Sequence, residues 1–190
     1  MVRRQPHCRA HSKSLPRLWL VTDERVDMAS LLRAAARMPR GSGIVFRHHA
    51  TPGDARRRLY NALHALAWRR GLVLVVAGTA RLALGWRADG FHGRSSSGAG
   101  DRRLIRTAPA HDLAQLRAAE RGGADIIFVS PVFATRSHPG GRTLGRVRFA
   151  ALVRHTKVKV IAMGGMDAKR AASLGATGAY GWAAIDALSG

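Results

Sequence analysis

Three short apolar runs in this chain each end in side chains that could hold an anion or move a proton. Ile126 to Val129 leads into Ser130-Pro131 and then a polar loop carrying Thr135, Ser137 and His138. Val158 to Ala162 leads through Met163 into the double glycine Gly164-Gly165. Gly43 to Phe46 ends in Arg47-His48-His49. A double glycine between an apolar run and a helix lets backbone N–H groups approach a phosphate, and the helix dipole favours the negative charge. A tight turn is the plain alternative for the same two glycines. His48 and His49 suggest a metal pair at first sight. Adjacent residues on an extended strand point to opposite faces, which argues against both ligating one ion.

These sites need a scaffold, and the rest of the chain supplies its pattern. Buried β-prone runs recur at Leu18 to Val21, Gly43 to Phe46, Leu72 to Val76, Gly90 to His92, Leu104 to Arg106, Ile126 to Val129, Val158 to Ala162 and Ala179 to Trp182. Such short, uninterrupted runs read as strands of a parallel sheet. Helical stretches alternate with them. Asp27 can cap Met28 to Met38, Thr51-Pro52 opens a helix with Leu59, Leu63 and Leu66 on one face, and Thr79 to Trp86 makes a short one. Asp112-Leu113-Ala114-Gln115 is a capping box before a helix ending at Arg121. Further helices are expected over Arg146 to His155, Asp167 to Leu174 and Ala183 to Leu188. Alternation of this kind predicts a compact (β/α)8 TIM barrel in one domain over residues 17–190, with shortened fourth and eighth helices, behind a basic, disordered tail over residues 1–16. Barrels of this class often hold phosphate on the loops after strands seven and eight. That adds the turn around Ala184-Ile185, with Asp186, to the Gly164-Gly165 site.

The ordered motifs resemble the thiamine phosphate synthase family, which includes the related thiazole tautomerases. The matching segments are Leu18-Trp19-Leu20-Val21-Thr22-Asp23, Ala88-Asp89-Gly90-Phe91-His92, Gly123-Ala124-Asp125, Ser130-Pro131-Val132-Phe133-Ala134-Thr135, Ala162-Met163-Gly164-Gly165-Met166 and Gly178-Ala179-Tyr180-Gly181-Trp182-Ala183. The resemblance implies transfer of a pyrimidine from its pyrophosphate to thiazole phosphate, giving thiamine phosphate and pyrophosphate. It also implies that Thr135, Ser137 and His138 contact substrate, and that Gly164, Gly165, Ile185 and Asp186 frame the thiazole phosphate. After strand two the family pattern is Gln-x-Arg-x-Lys. Here Val45, Arg47 and His49 stand at those places, so Arg47 is kept and can face a pyrophosphate bidentately. Mg2+ is the cofactor that the resemblance implies, yet both of its Asp ligands are missing: Ala77-Gly78 replaces Asn-Asp, and Arg94-Ser95-Ser96 replaces the second Asp. Asp186 stands where the family carries a small hydroxyl residue. Pro131 stands where the tautomerases carry a catalytic His, which disfavours their chemistry. His111 matches a family His at a helix start, where a structural role is expected.

Composition limits the alternatives. With 46% hydrophobic residues the chain is globular rather than disordered. It carries no apolar run of membrane-spanning length. A single cysteine, Cys8, excludes an internal disulfide and makes a reducing, cytoplasmic setting the expectation. The basic N-terminus lacks the apolar centre of a secretory signal. Lys and Arg number 32 against 11 acidic residues, a net charge of +21. The arginines, Arg33, Arg37, Arg56, Arg57, Arg58, Arg69 and Arg70 among them, are spread along expected helices and are read as a solvated surface that attracts phosphorylated substrates. No nucleic-acid motif accompanies them, so specific nucleic-acid binding is not expected, and homo-oligomerisation is left open. The missing carboxylates keep a second reading in play: a non-catalytic family member that binds thiazole phosphate or thiamine phosphate and regulates or sequesters it.

Overall fold

The computed structural model describes residues 15–93, 104–135 and 140–185. Eight parallel strands close into a barrel in chain order. They are β1 (Leu18–Val21), β2 (Gly43–Phe46), β3 (Val73–Ala77), β4 (Gly90–His92), β5 (Ile105–Ala110), β6 (Ile126–Val129), β7 (Lys159–Met163) and β8 (Gly181–Ala184). The helices are α1 (Met28–Arg37), α2 (Gly53–Arg70), α3 (Ala80–Trp86), α4 (Leu113–Arg121), α5 (Gly145–Arg154) and α6 (Ala168–Ala172), with a 3-10 turn at Gly175–Thr177. Residues Asp27, Thr79, Asp112 and Asp167 accept from backbone N–H groups at the starts of α1, α3, α4 and α6. These caps satisfy donors that a helix start leaves open.

Strand periodicity builds the core in two layers. One parity points into the barrel, where Trp19, Val21, Val45, Val75, Ile105, Ile126, Phe128, Ile161 and Ala183 pack together. The other parity points out to the helices. Leu20, Ile44, Phe46, Leu74 and Val76 meet Leu31, Ala34, Leu59 and Leu63, while Ile127, Val129, Val160 and Ala162 meet Leu116, Phe149 and Leu174. Trp19 plugs the lower barrel, its ring edge-on to Phe128 with 5.3 Å between centroids.

The structure corrects the sequence reading at four places. Strand β5 continues four residues beyond Arg106, to Ala110. Its inward positions are the buried, polar Thr107 and the cleft-lining Pro109, so the segment lacks the continuous apolar signature. Ala183 and Ala184 belong to β8, not to a final helix, because they pair with Trp19 and Leu20 of β1; barrel closure overrides the helical propensity of alanine. Leu15 and Pro16 are not tail: Leu15 O accepts from Tyr180 Oη at 2.5 Å, and Pro16 O accepts from Trp19 Nε1 at 2.9 Å. Arg56 is not solvated but half-buried, with its guanidinium over the rings of Trp86 and Phe46. The rest of the tail, the segment between β4 and β5 over residues 94–103, and the chain beyond Ile185 lie outside the described residues.

Candidate active site

Where the inward parity runs past the ends of the strands, it stops being core and becomes a site. Val45 is buried, and two residues on Arg47 lines a cleft of about 1100 Å3 at the C-terminal mouth of the barrel. The same step leads from Val75 to Ala77, from Gly90 to His92, from Phe128 to Ser130, from Ile161 to Met163 and from Ala183 to Ile185, all of them cleft residues. His48, of the other parity, is buried and stacked on Phe46 with 4.9 Å between ring centroids. His49 returns to the cleft wall. The two adjacent histidines thus point apart.

The Arg47–His49 turn is held at both ends. Thr22 Oγ1 accepts from Arg47 N at 3.0 Å and pairs with His48 Nδ1 at 2.8 Å. Glu24 accepts from Ala50 N at 2.7 Å and from Thr51 N at 2.8 Å. The β1 loop therefore fixes the β2 loop, and Arg47 projects from a braced backbone. Desolvation, then the charges of Arg56 and Arg47, lower the pKa of His49.

His92 was legible only as part of a strand motif, yet it lines the cleft. Thr107 Oγ1 donates to Phe91 O at 3.1 Å, so at 2.9 Å His92 Nδ1 carries the proton and donates to that hydroxyl. The lone pair of Nε2 is then left for the cleft side. Burial first, then the charges of Arg47 and His49, hold this imidazole down at about 4. His92 is a neutral acceptor near pH 7, not a cation. His111 is comparable: its Nδ1 donates to Ser130 O at 2.7 Å, which orients the ring at the cleft rim.

Across the cleft, the loops after β6 and β7 are laced together. Val132 N donates to Met163 O at 2.9 Å and Phe133 N to Gly164 O at 3.1 Å. A Cβ on Gly164 would lie 2.7 Å from Pro131 Cα, and one on Gly165 would lie 2.2 Å from Ala134 O. Both glycines also have positive φ, 94° and 59°. Packing against the β6 loop therefore demands glycine here whatever the ligand. The N–H groups of Gly164 and Gly165 donate to no described residue and stand in the cleft wall. Thr135 and Ile185 line the same end. Two arginines absent from the sequence reading join them, Arg142 and Arg170. Arg170 donates to Gly165 O and lies over the Phe133 ring, 5.3 Å from its centroid. No sequence signal marked Arg170, because its role depends on α6 folding back over the glycines. Ser137, His138 and Asp186 lie outside the described residues.

The cleft wall is predominantly basic. Arg47, Arg142 and Arg170 line it together with His49, His92 and His111. Asp167 is the one carboxylate lining it among the described residues, and it caps α6 by accepting from Arg170 N at 2.7 Å. Mg2+ prefers carboxylate oxygens. At the ends of β3 and β4 the described chain offers Ala77, Gly78, His92 and Gly93, which do not fit that ion.

The chain is similar to known proteins over most of its length. A family model described as thiamine monophosphate synthase matches residues 18–188. A thiamine-phosphate synthase of Chloroflexus aurantiacus is 30% identical over 182 residues, covering 90% of this chain and 84% of that protein. One of Salinispora arenicola is 32% identical over 189 residues, covering 93% and 90%. Among solved structures, a thiamine phosphate pyrophosphorylase of Pyrococcus furiosus superposes with a TM-score of 0.77 at 25% identity, covering 92% of this chain and 87% of that one.

Proposed function

Since the chain belongs to the thiamine monophosphate synthase family, we propose that it is a transferase of thiamine biosynthesis that joins hydroxymethylpyrimidine pyrophosphate to thiazole phosphate. The carrying observation is a cleft that sets a basic wall after β2 apart from a glycine-rich wall after β7. Arg47 and His49 stand at one, and Gly164, Gly165 and Thr135 at the other. That arrangement suits two phosphorylated substrates meeting over a barrel floor made of Val21, Phe128 and Met163. In the reaction the methylene–oxygen bond of the pyrimidine breaks, pyrophosphate leaves with the electron pair, and the thiazole nitrogen attacks the electron-poor methylene carbon. No protein nucleophile is needed, and positioning with charge stabilisation carries the rate. Arg47 would take the leaving pyrophosphate as a guanidinium fork. The N–H groups of Gly164 and Gly165, which donate to no described residue, with the Thr135 hydroxyl, would take the thiazole phosphate, and the family resemblance implies substrate contacts for Ser137, His138 and Asp186. The neutral His92 would accept a hydrogen bond from a polar N–H of the pyrimidine. The family's divalent cation has no matching donor set among the described residues.

The test is formation of thiamine phosphate from both substrates by the purified chain. Turnover is expected, and Gly164→Asp should abolish it, since the new carboxylate adds both bulk and negative charge beside Pro131. Binding of thiazole phosphate with no product under any condition would instead establish the non-catalytic binder. Unchanged thiazole phosphate binding in Gly164→Asp would overturn the assignment of that end of the cleft.

A further inference from the structure

We infer that the β2–β3 end of this cleft is a metal-independent diphosphate site, in which Arg47 contacts the anion and the guanidinium of Arg56 supplies a fixed positive charge behind it. The inference rests on the synthase reading only for which diphosphate ester is used.

Arg56 rises from the first turns of α2 to the ends of two strands. Its Nη2 donates to Arg47 O at 3.0 Å and to Ala77 O at 3.3 Å. Its guanidinium carbon is 5.0 Å from the Trp86 ring centroid and 5.6 Å from that of Phe46. Its Nε is buried with no hydrogen-bond partner. No ion pair neutralises it among the described residues. A charge clamped by carbonyls and rings cannot reorganise away, so its field persists at Arg47, Ala77 and His49. That field already shows in His49, whose pKa is lowered by desolvation and then by Arg56. Arg47, one residue beyond β2, adds a second guanidinium, free of ion pairs among the described residues. Asp23 and Glu24 act on this pair only at longer range than an ion pair, so the two neighbouring cations repel each other, and a polyvalent anion bound between them relieves that repulsion. A third cation added at the same place would be opposed by it.

The backbone beside this pair is also shaped against a metal ligand. Gly78 has φ 147°, and a Cβ there would lie 2.9 Å from Leu82 Cδ2. A carboxylate-bearing residue at this position would be strained in conformation and would have to displace the end of the Leu82 side chain. The substitution that would rebuild a metal ligand is therefore not neutral in this fold.

Inorganic pyrophosphate is the probe, measured by calorimetry on the whole protein, first in EDTA and then with excess Mg2+. The wild type should bind in EDTA, and Mg2+ should leave the affinity unchanged or weaken it. Arg47→Gln should weaken binding by about tenfold or more. Arg56→Lys, which keeps the charge but not the fork, should stay within about threefold of the wild type, whereas Arg56→Gln should lose about tenfold. A purely structural Arg56 would make the Lys and Gln variants equally weak, which would overturn its role. If Arg56→Gln does not fold, Arg47→Gln and Arg56→Lys still decide. Binding that appears only after Mg2+ is added, or that is unaffected by Arg47→Gln, would overturn the proposal. None of these readouts depends on turnover, so a failed synthase assay leaves them separately interpretable.

Discussion

At the scale of single residues, His92 shows how a buried imidazole links stability to pH. Its pKa is held near about 4 rather than at the ordinary 6.5. Between those values the unfolded chain binds a proton that the folded chain refuses, so stability must fall as pH falls through that window. The size follows from the shift: lowering pH from about 7 to about 5 should remove roughly 2 kcal/mol through this residue alone. Urea unfolding at the two pH values, in wild type and in His92→Gln, isolates the effect, because the lowered values of His48 and His49 act in both proteins. The variant should show the smaller loss. Equal losses would mean that His92 is not the group being titrated. The same residue marks a limit of sequence reading. Its place in a strand motif was visible, but its proton position depends on Thr107 in the next strand.

At the scale of elements, the strands are positioned by close approaches that only glycine permits. Gly43 of β2 pairs with Trp19 of β1, and a Cβ on it would lie 2.3 Å from the Trp19 ring. Trp19 is fully buried and tied to Pro16 O, so it has nowhere to move. Gly43→Ala should therefore overpack the lower barrel and cost about 1–3 kcal/mol. Its pyrophosphate affinity should stay as in the wild type, because Gly43 lies at the opposite end of β2 from Arg47. A urea midpoint equal to the wild type's would show that the plug adapts more freely than its contacts imply. The element boundaries that sequence missed share one cause. Strand β5 past Arg106 and strand β8 past Trp182 carry Thr107, Pro109, Ala183 and Ala184, which face the cleft or the barrel lumen and carry no apolar run to announce a strand.

At the scale of the whole molecule, the charge of +21 has a structural partition. The described carboxylates mostly serve the backbone: Asp27, Asp112 and Asp167 cap helices, Asp89 accepts from Leu74 N and Asp125 from Arg106 N, and Glu24 braces the β2 loop. Few remain to neutralise arginines. Arg58, Arg69 and Arg70 on α2 are exposed. Polyanions should bind this surface without sequence preference, and their affinity should fall steeply with salt as counter-ions cease to be released. Titrating a single-stranded homopolymer and a mixed duplex against salt should give steep, similar slopes. A sequence-selective complex that survives about 0.5 M salt would contradict this. No described helix is long and apolar enough to cross a membrane.

The sequence alone determined what depends on local order. Eight β-prone runs alternating with capped helices allow few topologies other than the barrel, and the double glycine after Met163 and the guanidinium after Phe46 already lay at strand ends. Period-two alternation even separated His48 from His49. What only the tertiary structure decided is everything that arises between strands. Arg56 reads as one more helical arginine until α2 packs against β2 and β3 and carries its guanidinium to the ends of both. Arg170 is equally silent until α6 folds back onto Gly165. The conformation of Gly78, which opposes a carboxylate where a metal ligand would stand, follows from its approach to Leu82 and its bond to His92 O. Strand order is written in neighbouring residues; charge placement in this cleft is set by residues far apart in the chain, and only packing brings them together.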